Sequence, residues 1–309
     1  MKTMKAMRVH EYGGPEVLRY EVVPIPKLEP GDVLVRIRAS GVNPVDGKKL
    51  TGYRNHPLPF TPGWDFSGVV ERLGEGVAGW AVGDEVYARP DITRDGTYAE
   101  YIAVRASEIA PKPASLDHIH AAAVPLAALT AWQSLYDAAG LKAGQRVLIH
   151  AAAGGVGGYA VQFAKLRGAY VIGTASAGNH DYLRELGADE CIDYRSVNFE
   201  DAVGDVDVVF DTVGGQTRER SWRVLRKDGI QVSIISPPPE QKEADPYGVR
   251  AGYVFAQPNR SQLDEIAGLI DAGKLKVHVQ TVLPLAEARK AVEMIKAGHT
   301  QGKIVLEIS

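Results

Sequence analysis

From Arg146 onward the chain alternates between short apolar runs and helical patterns, and this alternation restricts the fold more tightly than any other feature of the sequence. The runs are Arg146 to His150, Tyr170 to Gly173, Glu190 to Asp193, Val206 to Phe210 and Gln231 to Ile235. Each is the length of a strand buried on both faces, and helical stretches separate them. Parallel strands need long crossover connections, which helices supply. The segment is therefore expected to form a parallel sheet covered by helices on both faces, a doubly wound α/β layer.

Residues 1 to about 120 read differently. MRVHEY, DVLVRIRAS, FSGVVERLG, DEVYAR and YAEYIAV are β-segments broken by turn signals at Gly13-Gly14-Pro15, Glu29-Pro30-Gly31-Asp32 and Gly83-Asp84. They predict a small barrel or curled sheet. From about Ala121 the pattern becomes helical and rich in Ala and Leu, as in ALTAWQSLYDAAG. After Pro258 come two amphipathic helices, RSQLDEIAGLIDAG and LAEARKAVEMIKAG, and a closing strand, GKIVLEIS. A lone strand must pair somewhere, and this one resembles those of the first half. The expected domains are thus residues 1–123, 124–258 and a return to the first domain over 259–309. A chain of 309 residues exceeds the usual size of one core, which agrees with two.

Composition narrows the partners. A formal net charge of -3 with no long Lys/Arg run argues against nucleic acid. No apolar stretch is long enough to cross a bilayer, and MKTMKAMRVHEYGGP lacks the continuous apolar core of a signal peptide, so a cytoplasmic protein is expected. The single cysteine, Cys191, forbids an intrachain disulfide and a multi-cysteine zinc site; in Glu190-Cys191-Ile192 it is expected to be a small buried hydrophobe on a strand.

The run from Arg146 to Gly157 is a strand, a turn of small residues and a helix whose apolar face is Val156, Ala160, Phe163 and Ala164. That context marks a dinucleotide loop: small residues admit a pyrophosphate to the backbone, and the helix amino terminus favours its charge. Against G-x-G-x-x-G, Ala152 replaces the first glycine, while Gly154 and Gly157 hold the other two. Ala152, Ala153, Gly154, Gly155, Val156 and Gly157 are the candidate phosphate residues of a Rossmann domain. A tight turn with close packing and no ligand is the bland alternative.

An NAD site usually carries Asp or Glu at the end of the second strand, to accept from the ribose 2′-hydroxyl. Here that strand ends Val171-Ile172-Gly173-Thr174-Ala175-Ser176, without a carboxylate. Ser176, Asn179 and His180 could instead donate to a 2′-phosphate, joined by Tyr194 and Arg195 from the neighbouring strand. NADP(H) is therefore the expected cofactor. The alternative is a helix cap at SAGNH and surface residues at Tyr194-Arg195.

The run AAAGGVGGYAVQFAK, with NPVD at 43–46, PGWDFSGVV at 62–70, GTYAEY at 96–101 and GKIVLE at 302–307, resembles the medium-chain dehydrogenase/reductase superfamily, and within it the zinc-independent quinone oxidoreductase and alkenal/enone reductase branch. The resemblance spans the chain. It implies a GroES-like catalytic domain, a Rossmann domain, an active cleft between them and a homodimer. Zinc alcohol dehydrogenases of the superfamily place a cysteine ligand where this chain has Asn43 and a Gly-His-Glu motif where it has Gly63-Trp64-Asp65. Neither an amide nor an indole serves zinc, so no metal is expected; Trp64 reads as packing and Asp65 as a buried acceptor.

By the same resemblance Asn43 and Asp46 sit near the nicotinamide ribose, and Lys48 matches a basic position of the alkenal reductases. Thr130 contacts the nicotinamide region, Phe255 and Ala256 lie along it, and Lys303 reaches the cofactor. Tyr53 is a candidate donor to the substrate oxygen. Each also has a plainer reading: Asn43-Pro44 as turn former, Asp46 as a cap, Lys48 as a solvated charge, Tyr53 as loop packing, Thr130 as helix packing. The expected activity is hydride transfer from NADPH to a quinone or an activated alkene. The alternative is an NADPH-binding redox-sensing or structural module with little turnover.

Overall fold

A computed structural model describes residues 2–309. The chain forms two compact units, one of residues up to Leu126 together with Gln257–Ser309, the other Ala127–Ala256.

In the first unit β1 (Thr3–Val9) and β2 (Leu18–Pro24) make an antiparallel ribbon. A larger sheet holds β3 (Asp32–Val42), β4 (Phe66–Leu73), β5 (Glu85–Ala88), β6 (Tyr101–Arg105) and β7 (Ala110–Pro111). Short helices α1 (Pro44–Leu50) and α2 (His118–Ala122) follow β3 and β7. The strand β3 shows no alternation because both its faces are covered. Val33, Val35 and Ile37 belong to the main core, whereas Ala39 packs with Ala122 and Ala123 from the α2 region.

Helix α3 (Pro125–Trp132) leads into the second unit. It does not continue regularly through ALTAWQSLYDAAG, because residues Gln133–Ala138 widen into a π-helical turn. Six parallel strands follow: β8 (Arg146–Ile149), β9 (Tyr170–Ala175), β10 (Glu190–Asp193), β11 (Val206–Asp211), β12 (Leu225–Ser233) and β13 (Arg250–Tyr253). Their order is β10-β9-β8-β11-β12-β13, with helices α4 (Gly155–Leu166), α5 (His180–Leu186), α6 (Phe199–Ala202), α7 (Gly215–Ser221) and α8 (Gln241–Ala244) between them. The chain order reverses between β8 and β11, the switch point where ligands of such sheets bind. β13 was not expected; as an edge strand it is only half covered and lacks the apolar run of its neighbours. The same reason changes the reading of Cys191: β10 is the opposite edge, so the thiol is half-buried rather than enclosed.

Returning to the first unit, α9 (Arg260–Asp271), β14 (Val279–Pro284), α10 (Ala288–Ala297) and β15 (Lys303–Glu307) complete the chain. β15 pairs antiparallel with β3, Ile304 opposite Val42, and so brings Lys303 to the start of α1.

Candidate functional site

In the second unit β8 delivers the chain into the small-residue turn. Gly154 caps α4 in an extended conformation, no side chain caps it, and its first turn holds no acidic residue. The first bond of the helix runs from Gly158 N–H to the Gly154 carbonyl, at 2.8 Å. Before it, Ala152 N–H is bonded to Thr174 O at 2.9 Å and Gly154 N–H to Ala151 O at 3.0 Å, so the electropositive end of the helix is formed by the N–H groups of Gly155, Val156 and Gly157. Gly157 is required by packing, since a Cβ there would lie 2.4 Å from the Ala151 carbonyl oxygen. At Gly154 a Cβ would meet nothing nearer than Ala151 O at 3.3 Å, so protein does not fill the space before the helix. Ala152 and Ala153 are buried beneath the turn, and Gly154, Gly155 and Val156 are half-buried at its rim. The residues fit a pyrophosphate: bare amides, no carboxylate, and room for the backbone to be approached.

At the end of β9 the SAGNH segment forms one 3-10 turn, with Asn179 Nδ2 donating to Ser176 Oγ at 3.2 Å. His180 opens α5, and its Nε2 is buried with no hydrogen-bond partner among the described residues. Tyr194 is exposed, with the Arg195 guanidinium 5.7 Å from its ring centroid. Asp193, which the sequence reading passed over, lies opposite Ala175 at the end of β10 and brings a carboxylate to this end of the sheet. Its oxygens accept from Arg195 N–H and Ser196 Oγ, both at 3.1 Å. The Arg195 bond leads in holding this carboxyl below the usual range.

In the first unit Asn43, Asp46 and Lys303 meet in one buried cluster with Asp65 and Tyr98. Asn43 and Asp46 form a capping box at the start of α1, with Asn43 N–H donating to Asp46 Oδ2 at 2.8 Å. The Asn43 amide bridges opposite charges: its Nδ2 donates to Asp65 Oδ1 at 2.9 Å, and its Oδ1 accepts from Lys303 Nζ. Lys303 Nζ also donates to Val42 O at 3.0 Å. Asp65 Oδ2 accepts the Leu126 N–H at 3.2 Å, and Tyr98 Oη donates to Asp46 Oδ2 at 2.9 Å. Asp46 Oδ1 is buried without a partner among the described residues. Burial pushes the Asp46 carboxyl up to about 7 and raises Asp65, while burial lowers Lys303 against the attraction of both carboxylates.

The remaining candidates are separate from this cluster. Lys48 is exposed on α1, and its neighbour Lys49 is the buried one, its Nζ 5.0 Å from the Phe60 ring centroid. Burial brings the Lys49 amine down to about 8. Tyr53 is half-buried in the turn after α1, the Arg54 guanidinium 5.6 Å from its ring centroid. Thr130 is buried in α3; past the end of β13, Phe255 is half-buried and Ala256 buried. Sequence reasoning missed Tyr98 and Lys49. Tyr98 looks like any strand residue in GTYAEY, and only the fold shows which lysine of a pair turns inward.

A GroES-like β-rich unit joined to a Rossmann unit defines a class of oxidoreductases that use a nicotinamide cofactor. Residues 29–114 match the alcohol dehydrogenase GroES-like domain, and residues 186–306 match the zinc-binding dehydrogenase family. The chain belongs to the medium-chain dehydrogenase/reductase superfamily. It is 32% identical to the mitochondrial NAD(P)H oxidoreductase RTN4IP1 of Mus musculus, over 99% of this chain and 89% of that protein. It is 34% identical to the chloroplastic NADPH-dependent alkenal/one oxidoreductase of Arabidopsis thaliana, over 99% of this chain and 80% of that one. Among solved structures, the quinone oxidoreductase from Coxiella burnetii superposes with a TM-score of 0.95 at 35% identity, covering 100% of both chains. No helix among the described residues is long and apolar enough to cross a membrane.

Proposed function

We propose that this chain is a zinc-independent, NADPH-dependent reductase of quinones or activated alkenes, with the first unit taking the substrate and the second the cofactor. The observation that carries the reading is the hydrogen bond from Lys303 Nζ to Asn43 Oδ1. Where zinc dehydrogenases carry a cysteine ligand, this chain has an amide already committed to a buried ammonium and to Asp65. Trp64 offers no metal donor, and Cys191 lies in the second unit. The donor set does not fit zinc, although the zinc-binding dehydrogenase family matches the chain.

Without a Lewis acid, an alcohol oxidation has no group to stabilise the alkoxide. Quinones and enones accept hydride without that help, because conjugation spreads the developing charge onto a carbonyl oxygen that needs only hydrogen-bond donors and a proton. A bound reduced nicotinamide supplies the hydride. The pyrophosphate would lie against the turn of Ala152 to Gly157 and be held by the N–H groups of Gly155, Val156 and Gly157, while Ser176, Asn179 and His180 with Tyr194 and Arg195 would hold the 2′-phosphate. Asp46, whose Oδ1 has no partner among the described residues, would be the acceptor if a ribose hydroxyl reaches the first unit. The Asn43 amide is locked at both ends, so its contribution is to hold Lys303 and Asp65 in place. Thr130, Phe255 and Ala256 would border the nicotinamide, and Lys48 and Tyr53 would supply charge and a hydroxyl to the substrate oxygen.

Steady oxidation of NADPH with a panel of simple quinones and enones tests the reading, together with metal analysis of the purified protein. Turnover without bound zinc is expected. Stoichiometric zinc overturns the zinc-independent account, and binding of NADPH without turnover on any member of the panel favours the redox-sensing alternative.

A further inference from the structure

The residue that opens the phosphate turn, Ala151, is held at φ +47°, in the left-handed region. A residue with a Cβ enters that region at a cost, and alanine, unlike asparagine or aspartate, has no side chain that can repay it locally. Its conformation must therefore be imposed from outside. The Ala151 N–H donates to Thr174 Oγ1 at 3.2 Å, and Thr174 Oγ1 in turn lies 3.2 Å from His150 Nδ1. On the far side of the ring, His150 Nε2 lies 2.9 Å from Ser221 Oγ on α7, and Ser221 Oγ donates to the Thr217 carbonyl at 2.6 Å.

This chain of bonds has one consistent arrangement of protons. Ser221 spends its hydrogen on Thr217, so at His150 it can only accept, and Nε2 must carry the ring proton. Nδ1 is then a lone pair, to which Thr174 donates. The hydroxyl oxygen of Thr174 is thereby turned toward the Ala151 amide. Direction passes from a carbonyl of α7, through the imidazole, to the first residue of the turn. The arrangement needs a neutral ring, and burial lowers the His150 pKa to about 4. The charged groups facing it are Asp211 on β11, Arg220 on α7 and Glu200 on α6. Arg220 and Glu200 are paired with each other, and Asp211 is bonded by the Val213 and Gly214 amides and Ser233 Oγ. Thr212 Oγ1 fixes the ring's own backbone by donating to His150 O at 2.7 Å.

We propose that His150 is a positioning residue for the cofactor: through Thr174 it holds Ala151 in the left-handed turn that sets the phosphate-binding amides. The inference rests on the reading of this loop as a dinucleotide site. Losing the restraint on this left-handed alanine is expected to weaken NADPH binding roughly tenfold, which is about 1.4 kcal/mol.

Thr174→Val removes the hydroxyl at constant shape, Thr174→Ser keeps it, and His150→Phe keeps a ring without either nitrogen. NADPH affinity is measured by fluorescence titration, and exchange of the Ala151 amide is followed in the cofactor-free chain. Thr174→Val and His150→Phe are expected to weaken NADPH binding about tenfold and to speed Ala151 exchange, with Thr174→Ser close to the parent and the two losses far from additive. In an Ala151→Gly background, where the left-handed conformation carries little penalty, Thr174→Val should lose less than about threefold. Parental affinity and exchange in Thr174→Val, or an undiminished loss in the glycine background, overturns the relay. If the parent itself binds neither NADPH nor NADH, the cofactor reading fails, and unaltered Ala151 exchange in the variants then decides against the relay independently.

Discussion

Replacing Lys303 by methionine isolates the electrostatics of the buried cluster. The side chain keeps its length and apolar stem, but two hydrogen bonds and the cation facing Asp65 and Asp46 disappear. Both carboxyl groups are fully buried, and neither has another cation bonded to it among the described residues. Breaking such a pair by removing one partner typically destabilises by about 3–5 kcal/mol, because an uncompensated charge stays in the interior. The deficit must depend on pH. Asp46 and Asp65 already titrate above ordinary carboxyls, Asp46 at about 7, and losing the ammonium moves them further up. A carboxyl whose folded pKa lies above its unfolded value holds a proton in the folded chain that the unfolded chain has released, so stability falls as pH rises through that window. Lys303→Met is therefore expected to lose about 3–5 kcal/mol near about pH 8 and markedly less near about pH 5, where the Asp46 carboxyl is neutral. Urea unfolding of parent and variant at both pH values measures the difference. Equal deficits at the two pH values, or a loss below about 1 kcal/mol at the higher one, would refute the charge balance assigned to the cluster.

Gly154→Val should abolish NADPH binding in a folded protein, since a Cβ there meets only Ala151 O at 3.3 Å, whereas Gly157→Ala should destabilise the second unit through its 2.4 Å approach to the same oxygen; titration and thermal melts separate the two. NADPH should be used far better than NADH, because no carboxylate ends β9; equal kcat/KM with the two cofactors would refute this and point to Asp193. Tyr53→Phe should lower kcat for enones by about tenfold or more with NADPH affinity unchanged, and less for quinones, whose hydroquinone anions need no immediate proton. Reduction of enones at the parental rate makes water the proton source.

Much of the architecture is carried by local pattern. Apolar runs of buried-strand length separated by helices can form only a parallel, doubly covered sheet; β8 to β11 stand where those runs lie, whereas β12 starts earlier, at Leu225, and ends at Ser233. The strand, small-residue turn and helix of the phosphate loop are likewise contiguous in sequence, and the reason for Gly157 is a contact only six residues away. The edges were less legible. β13 and Cys191 lie where the sheet has a neighbour on one side only, and there burial no longer writes an apolar run.

By itself, then, the sequence determined the fold class and the strand, small-residue turn and helix around Gly154, because those depend on neighbours a few residues apart and on periodicities that burial imposes. Tertiary structure alone decided how the polar residues are joined. Lys303 meets Asn43 at a separation of 260 positions, and His150 meets Ser221 at a separation of 71, through strand pairings that no local pattern encodes. Which of Lys48 and Lys49 is buried, and which oxygen of Asp46 is left without a partner, follow from the packing around α1. A polar side chain in the interior is defined by the donors and acceptors brought to it, and those come from the fold.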